Sequence, residues 1–105
     1  MGPRIIIEAE QALDKFGKHA ADFGVPIKEN IPNFRRFFRA LNAHVNDPAT
    51  NSIVGTYRGT ILVTHYFNAI TRLDVMAHLA DDRYLSGWRL GGNQESDLNA
   101  TRNVS

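Results

Sequence analysis

Lys15, Lys18 and His19 stand within little more than one helical turn of each other, with Asp22 three residues beyond the histidine. Residues three and four apart share a helix face, so an imidazole would lie beside two ammonium groups. Their charge disfavours the imidazolium, and an anionic phosphate restores it. That environment suits a general base or acid acting on a phosphodiester; the same spacing also describes a solvated helix face with an ordinary Lys-His pair. Ser86-Gly87-Trp88-Arg89 is the second such stretch. On an extended strand Ser86 and Trp88 face one way and Arg89 the other. Ser86 could donate to a phosphoryl oxygen while Trp88 stacks on a base or walls a pocket, or Trp88 could be a core residue beside a satisfied serine. Gly87 between them marks a bulge or a close backbone approach. Arg35, Arg36, Arg39 and Arg58 could form a phosphate-binding flank; equally, the first three could be a solvated helix face.

Other chemistries are curtailed. The chain has no cysteine, which excludes disulfide staples and a thiol nucleophile. The histidines at 19, 44, 65 and 78 show neither HExxH nor His-x-His spacing, so no metal site and no cofactor are expected. Ser86, His65 and Asp74 can be drawn as a hydrolytic triad, but no nucleophile elbow surrounds the serine. With 12 basic and 11 acidic residues the formal charge is +1, so any nucleic-acid site must be a local concentration of charge. No apolar run approaches the roughly 20 residues of a membrane span. MGPRIII is too short for a signal peptide, although export signals could lie elsewhere in a larger protein.

These residues need elements to hold them. Across 105 residues, 43% hydrophobic with ten aromatics, a single folded domain is expected. Residues 7–23 carry Ala9, Ala12 or Leu13, Phe16, Ala20 and Phe23 near the helical period, with Gly17 as the one dissenting residue. Gly24 and Pro26 stop that helix. A second helix is predicted over 32–45, its apolar stripe Phe34, Phe37 or Phe38, Leu41 and Val45, its start capped by Asn30 or Asn33. Residues 46–52 read as a dense turn. Thereafter the period is two. A strand over 53–58 ends at Gly59, and residues 60–90 hold three more alternating runs separated by connectors too short for a crossover helix. That predicts an antiparallel meander on which the helices pack, an α+β fold. Residues 91–105 are polar and aperiodic, either a loose tail or an edge segment held by Leu98 and Val104.

LDKFGKHAADFGV at residues 13–25 resembles the C-terminal toxin domain of colicin D and its relatives among polymorphic and contact-dependent inhibition toxins. GTYRG at 55–59, VTHYFN, LDVM and SGWRL at 86–90 extend the resemblance over most of 13–90, in the same order. It implies N-terminal helices against a strongly curved antiparallel sheet of the barnase-like toxin type, and a metal-independent ribonuclease that cuts tRNA; a monomer is expected separately, since no long zipper or large repeated apolar face is visible. It implies a catalytic histidine at His19, a basic partner at Lys18, and the serine and tryptophan of SGW at Ser86 and Trp88. The family pattern reads KFKHA where this chain reads KFGKHA, so Gly17 looks inserted and Phe16 stands where the second lysine is expected. Lys15, one turn from His19, is the candidate to replace it. The resemblance also implies a dedicated immunity protein, and export within a larger toxin that acts in the cytoplasm of a target cell.

The residue types suit that chemistry. RNA supplies its own nucleophile, the 2′-hydroxyl; His19 could take its proton or protonate the leaving 5′-oxygen. Lys18, Lys15 and Ser86 would offset charge on the phosphoryl oxygens, giving a 2′,3′-cyclic phosphate and a 5′-hydroxyl. A non-catalytic nucleic-acid-binding module and a protein-interaction domain are the alternatives.

Overall fold

The computed structural model describes residues 5–105. Helix α1 spans Ala9–His19 and tightens into a 3₁₀ turn over Ala20–Phe23. Gly24, at φ 75°, closes it in the left-handed conformation that glycine adopts without strain. The predicted single helix over 7–23 is therefore two pieces, and the change of pitch begins directly after His19. Gly17 does not interrupt α1. Helix α2, Ile31–Asn46, is capped by the Asn30 side chain, which accepts from the Asn33 N–H at 2.9 Å, with Pro32 in the first turn where its missing donor is harmless.

Four strands follow: β1 Thr50–Tyr57, β2 Ile61–Asn68, β3 Leu73–His78 and β4 Tyr84–Arg89. Successive strands pair antiparallel, with Tyr57 opposite Ile61, His65 opposite Met76 and Asp74 opposite Trp88. β1 begins at Thr50, so the turn predicted over 46–52 is shorter: α2 runs through Asn46, and Asp47 caps the bend by accepting from the Ala49 N–H. No bulge falls at Gly87; the register shift lies close by on the same strand, where Leu85 of β4 is the extra residue opposite the Met76–Ala77 step of β3. Gly87 serves close approach: a Cβ there would come within 2.7 Å of the Asp74 carbonyl.

Residues 91–105 are neither loose nor only an edge. Helix α3, Gly92–Thr101, leads into β5, Asn103–Val104, which adds parallel to β1 and makes the sheet mixed, in the order β4-β3-β2-β1-β5. Leu98 and Val104 are both fully buried and hold this segment down.

Two apolar clusters lie on opposite faces of the sheet. Ala12 and Phe16 of α1 and Ala20 of the 3₁₀ turn meet Phe37, Leu41 and Val45 of α2 over Tyr66, Val75 and Tyr84. On the other face Val63, Phe67 and Met76 pack under Leu90, Leu98 and Val104. The second face is concave. Tyr57 of β1 and Trp88 of β4 touch, ring centroids 5.9 Å apart, although two strands separate them in the sheet. None of the helices among the described residues is long and apolar enough to cross a membrane.

Candidate active site

The mouth of the curled sheet, where α1 crosses β4, is an open cleft of about 350 Å³. Lys15, Lys18, His19 and Asp22 line one side, Ser86 and Trp88 the floor, Tyr57 and Arg58 the far wall, with Ser105 at the rim. Residues from four segments thus meet in one place, and five of them are Lys15, Lys18, His19, Ser86 and Trp88. Arg58 is the one arginine of the expected basic flank that reaches it. Arg35, Arg36 and Arg39 lie exposed on α2, outside the cleft lining. The Arg36 guanidinium donates instead to Asn33 Oδ1 at 2.7 Å, serving the first turn of its own helix.

The His19 ring stacks on the Trp88 indole, centroids 5.2 Å apart and planes 24° from parallel. Burial pulls its pKa below 6.5, Asp22 opposes that pull, and the Lys15 and Lys18 ammonium groups reinforce it. The neutral imidazole therefore prevails at neutral pH. Lys15, itself partly buried, leans on the exposed Asp14 at 3.5 Å, a pair of little energetic weight. Among the described residues no ion pair occupies Lys18 or Arg58.

Trp88 is held from behind. Gln94 Oε1 accepts from the indole N–H at 3.2 Å and from the Gly91 N–H at 3.0 Å, and the Gln94 amide donates to the Ser105 carbonyl at 3.4 Å. Asp22 ties the 3₁₀ turn to β4 by accepting from the Arg89 N–H at 3.0 Å. Ser86 is buried, and no side-chain hydrogen bond among the described residues claims its hydroxyl. Sequence reasoning missed Tyr57 and Gln94. Tyr57 stood inside the GTYRG stretch with no role attached, Gln94 in a stretch with no chemical spacing, and the fold brings both to Trp88.

Below the floor, His65 and Asp74 form a fully buried pair. His65 Nδ1 donates to Asp74 Oδ2 at 2.8 Å and Nε2 to the Thr56 carbonyl at 2.9 Å. Burial alone would lower the His65 pKa. The Asp74 hydrogen bond and charge, with the Thr56 and Arg102 carbonyls, overcome it and hold the pKa above 6.5. Both ring nitrogens are engaged, so His65 cannot activate Ser86, and the drawn triad is not formed. The four histidines and the acidic residues make no metal-binding cluster among the described residues.

The Colicin D family model matches residues 11–97. Colicin-D of Escherichia coli is 34% identical over 90 residues, 85% of this chain and 12% of that protein. The chain thus spans only a small part of the length of the curated relative it matches. A solved ribonuclease from Escherichia coli, complexed with its inhibitor protein, matches at 30% identity with a TM-score of 0.77, over 90% of this chain and 100% of that one.

Proposed function

The chain belongs to the colicin D family, and from that membership we propose that it is a toxin ribonuclease that cuts tRNA without a metal. The carrying observation is the convergence of His19, Lys15, Lys18, Ser86 and Trp88 on one cleft, in a chain similar to a protein described as a ribonuclease. His19, neutral at working pH, takes the 2′-hydroxyl proton; the 2′-oxygen attacks phosphorus, the bond to the 5′-oxygen breaks, and that departing oxygen takes a proton from water. Lys18 and Lys15 offset the charge growing on the phosphoryl oxygens, and the Ser86 hydroxyl donates to one of them. Trp88 fixes the imidazole plane and offers its free area to a base. The products are a 2′,3′-cyclic phosphate and a 5′-hydroxyl. The Arg35, Arg36 and Arg39 face can meet only phosphates that lie beyond the cleft.

By the same membership the chain is part of a larger exported toxin acting in the cytoplasm of a target cell. An immunity protein holds it inactive by laying acidic side chains over Lys18 and His19. Hydrogen exchange protection confined to the side away from His19 would reject that occlusion.

The test is cleavage of whole tRNA in EDTA by wild type and His19→Ala, with circular dichroism as the folding control. A half-exposed helix position loses little packing, so the variant stays folded and cleaves roughly 10²–10⁴-fold more slowly. Equal rates from the two proteins remove His19 from the reaction. Intact tRNA after exposure to wild type sinks the enzymatic reading altogether.

A further inference from the structure

The turn joining β1 to β2 holds a residue poorly matched to its backbone. Both central residues of turn 57–60 have positive φ, Arg58 at 54° and Gly59 at 75°. That is the pattern of a type I′ turn, in which Asn, Asp or Gly ordinarily takes the first central place. An arginine there crowds its Cβ against the backbone. Among the described residues four non-glycines have positive φ, and of these Arg58 alone lines the cleft. The strain is held in place by neighbours: Arg58 N–H donates to the Val104 carbonyl at 2.7 Å and Gly59 N–H to Asn103 Oδ1 at 2.8 Å. Asn103 Oδ1 also accepts from the Thr56 hydroxyl at 2.9 Å. β5 thus clamps the turn from one side.

The side chain lies over the Tyr57 ring, guanidinium carbon 5.0 Å from the centroid, and makes no ion pair among the described residues. Tyr57 meets Trp88, and Trp88 stacks on His19. A continuous line of ring contacts therefore runs from the imidazole to a cation at the opposite lip. Strain stored beside a functional site is retained where the residue that bears it has a task there.

We propose that Arg58 and Tyr57 form a second nucleotide subsite, in which Arg58 takes a phosphate adjacent to the scissile one and Tyr57 supports the attached base. This rests on the ribonuclease reading and deepens it. A guanidinium suits the role because its fork can hold two phosphoryl oxygens at once. The aromatic face beneath it gives a weak, exposed resting place that is easily exchanged for a phosphate.

The test uses Arg58→Asn and Arg58→Lys in the full domain. Asparagine tolerates the left-handed backbone, so Arg58→Asn raises the thermal midpoint by roughly 2–5 °C. It also weakens binding of a single-stranded 2′-O-methyl oligoribonucleotide, which cannot be cut, by roughly 5–50-fold. The slope of log affinity against log salt becomes shallower by about 0.7. On tRNA the loss falls on KM more than on kcat. Arg58→Lys keeps the strain and the charge, with a midpoint near wild type and intermediate binding. Wild-type affinity and salt slope in Arg58→Asn would overturn the subsite, and a lowered midpoint in that variant would overturn the strain that singles Arg58 out. Because the oligonucleotide is read by binding, failure of wild type to cleave RNA is a separate result, one that removes the ribonuclease reading alone.

Discussion

His19 has its neutral form favoured by burial and two lysines, and its charged form favoured by Asp22. Burial wins, which on the proposed reaction favours the proton-accepting role over the proton-donating one. The expected pH profile of kcat/KM is flat near neutrality and falls on acidification through a midpoint below 6.5, as the base is lost. A rate that rises on acidification through that range would make His19 the acid. Trp88 is the single tryptophan of the chain and stacks on this ring, so its emission, quenched more by imidazolium than by imidazole, should step at the same midpoint. The step should vanish in His19→Ala. Helical spacing put Lys15, Lys18 and His19 side by side and strand alternation did the same for Ser86 with Trp88, but each spacing equally fitted a surface or core role, and it was the family resemblance that singled them out. The pairing of the two groups, and the arrival of Tyr57, Arg58 and Gln94, depend on curl and docking that no local spacing encodes.

At the scale of elements, two glycines call for opposite outcomes. Gly17 sits inside α1 with open space where a Cβ would stand. Gly17→Ala should stabilise the domain by about 0.5–1 kcal/mol, seen as a higher urea midpoint. Gly55 in β1 faces the backbone of Arg102, and a Cβ there would run into the Arg102 carbonyl oxygen and stand 2.8 Å from the Arg102 Cβ. Gly55→Ala should cost about 1–3 kcal/mol or more as α3 and β5 are pushed off. An unchanged urea midpoint would show that the α3–β5 unit yields freely. The meander was legible because each strand alternates and each connector is short. α3 was not: it buries Leu98 alone and has no apolar stripe, so it stands as a helix through its docking and not through its pattern. The stop after His19 was placed late for a related reason, since the 3₁₀ turn keeps Ala20 buried and Phe23 packed against the core much as an α-helix would.

Across the whole molecule the buried His65–Asp74 pair joins β2 to β3 and, through the Thr56 carbonyl, to β1. With the His65 pKa raised above 6.5 in the fold, its contribution to stability is complete below that value and is lost as pH rises through the folded one. Wild type should therefore lose unfolding free energy from about pH 6.5 upward, and the double variant His65→Gln/Asp74→Asn should lose this dependence. A single His65→Gln is a poorer probe, since it leaves a buried carboxylate without its partner. The cleft itself draws on distant parts of the chain: Gln11 of α1 donates to the Leu85 carbonyl at 2.6 Å, and β5 closes on β1 in parallel. The hairpins can form from near neighbours, whereas these contacts close long loops and come later if closure entropy governs the order. In refolding, the far-UV signal of the sheet should then precede both the quenching of Trp88 and the return of cleavage. On the proposed reading a half-folded chain has no assembled cleft, and an inhibitor present during synthesis would have until the last strand is seated to meet a toxin that does not yet exist.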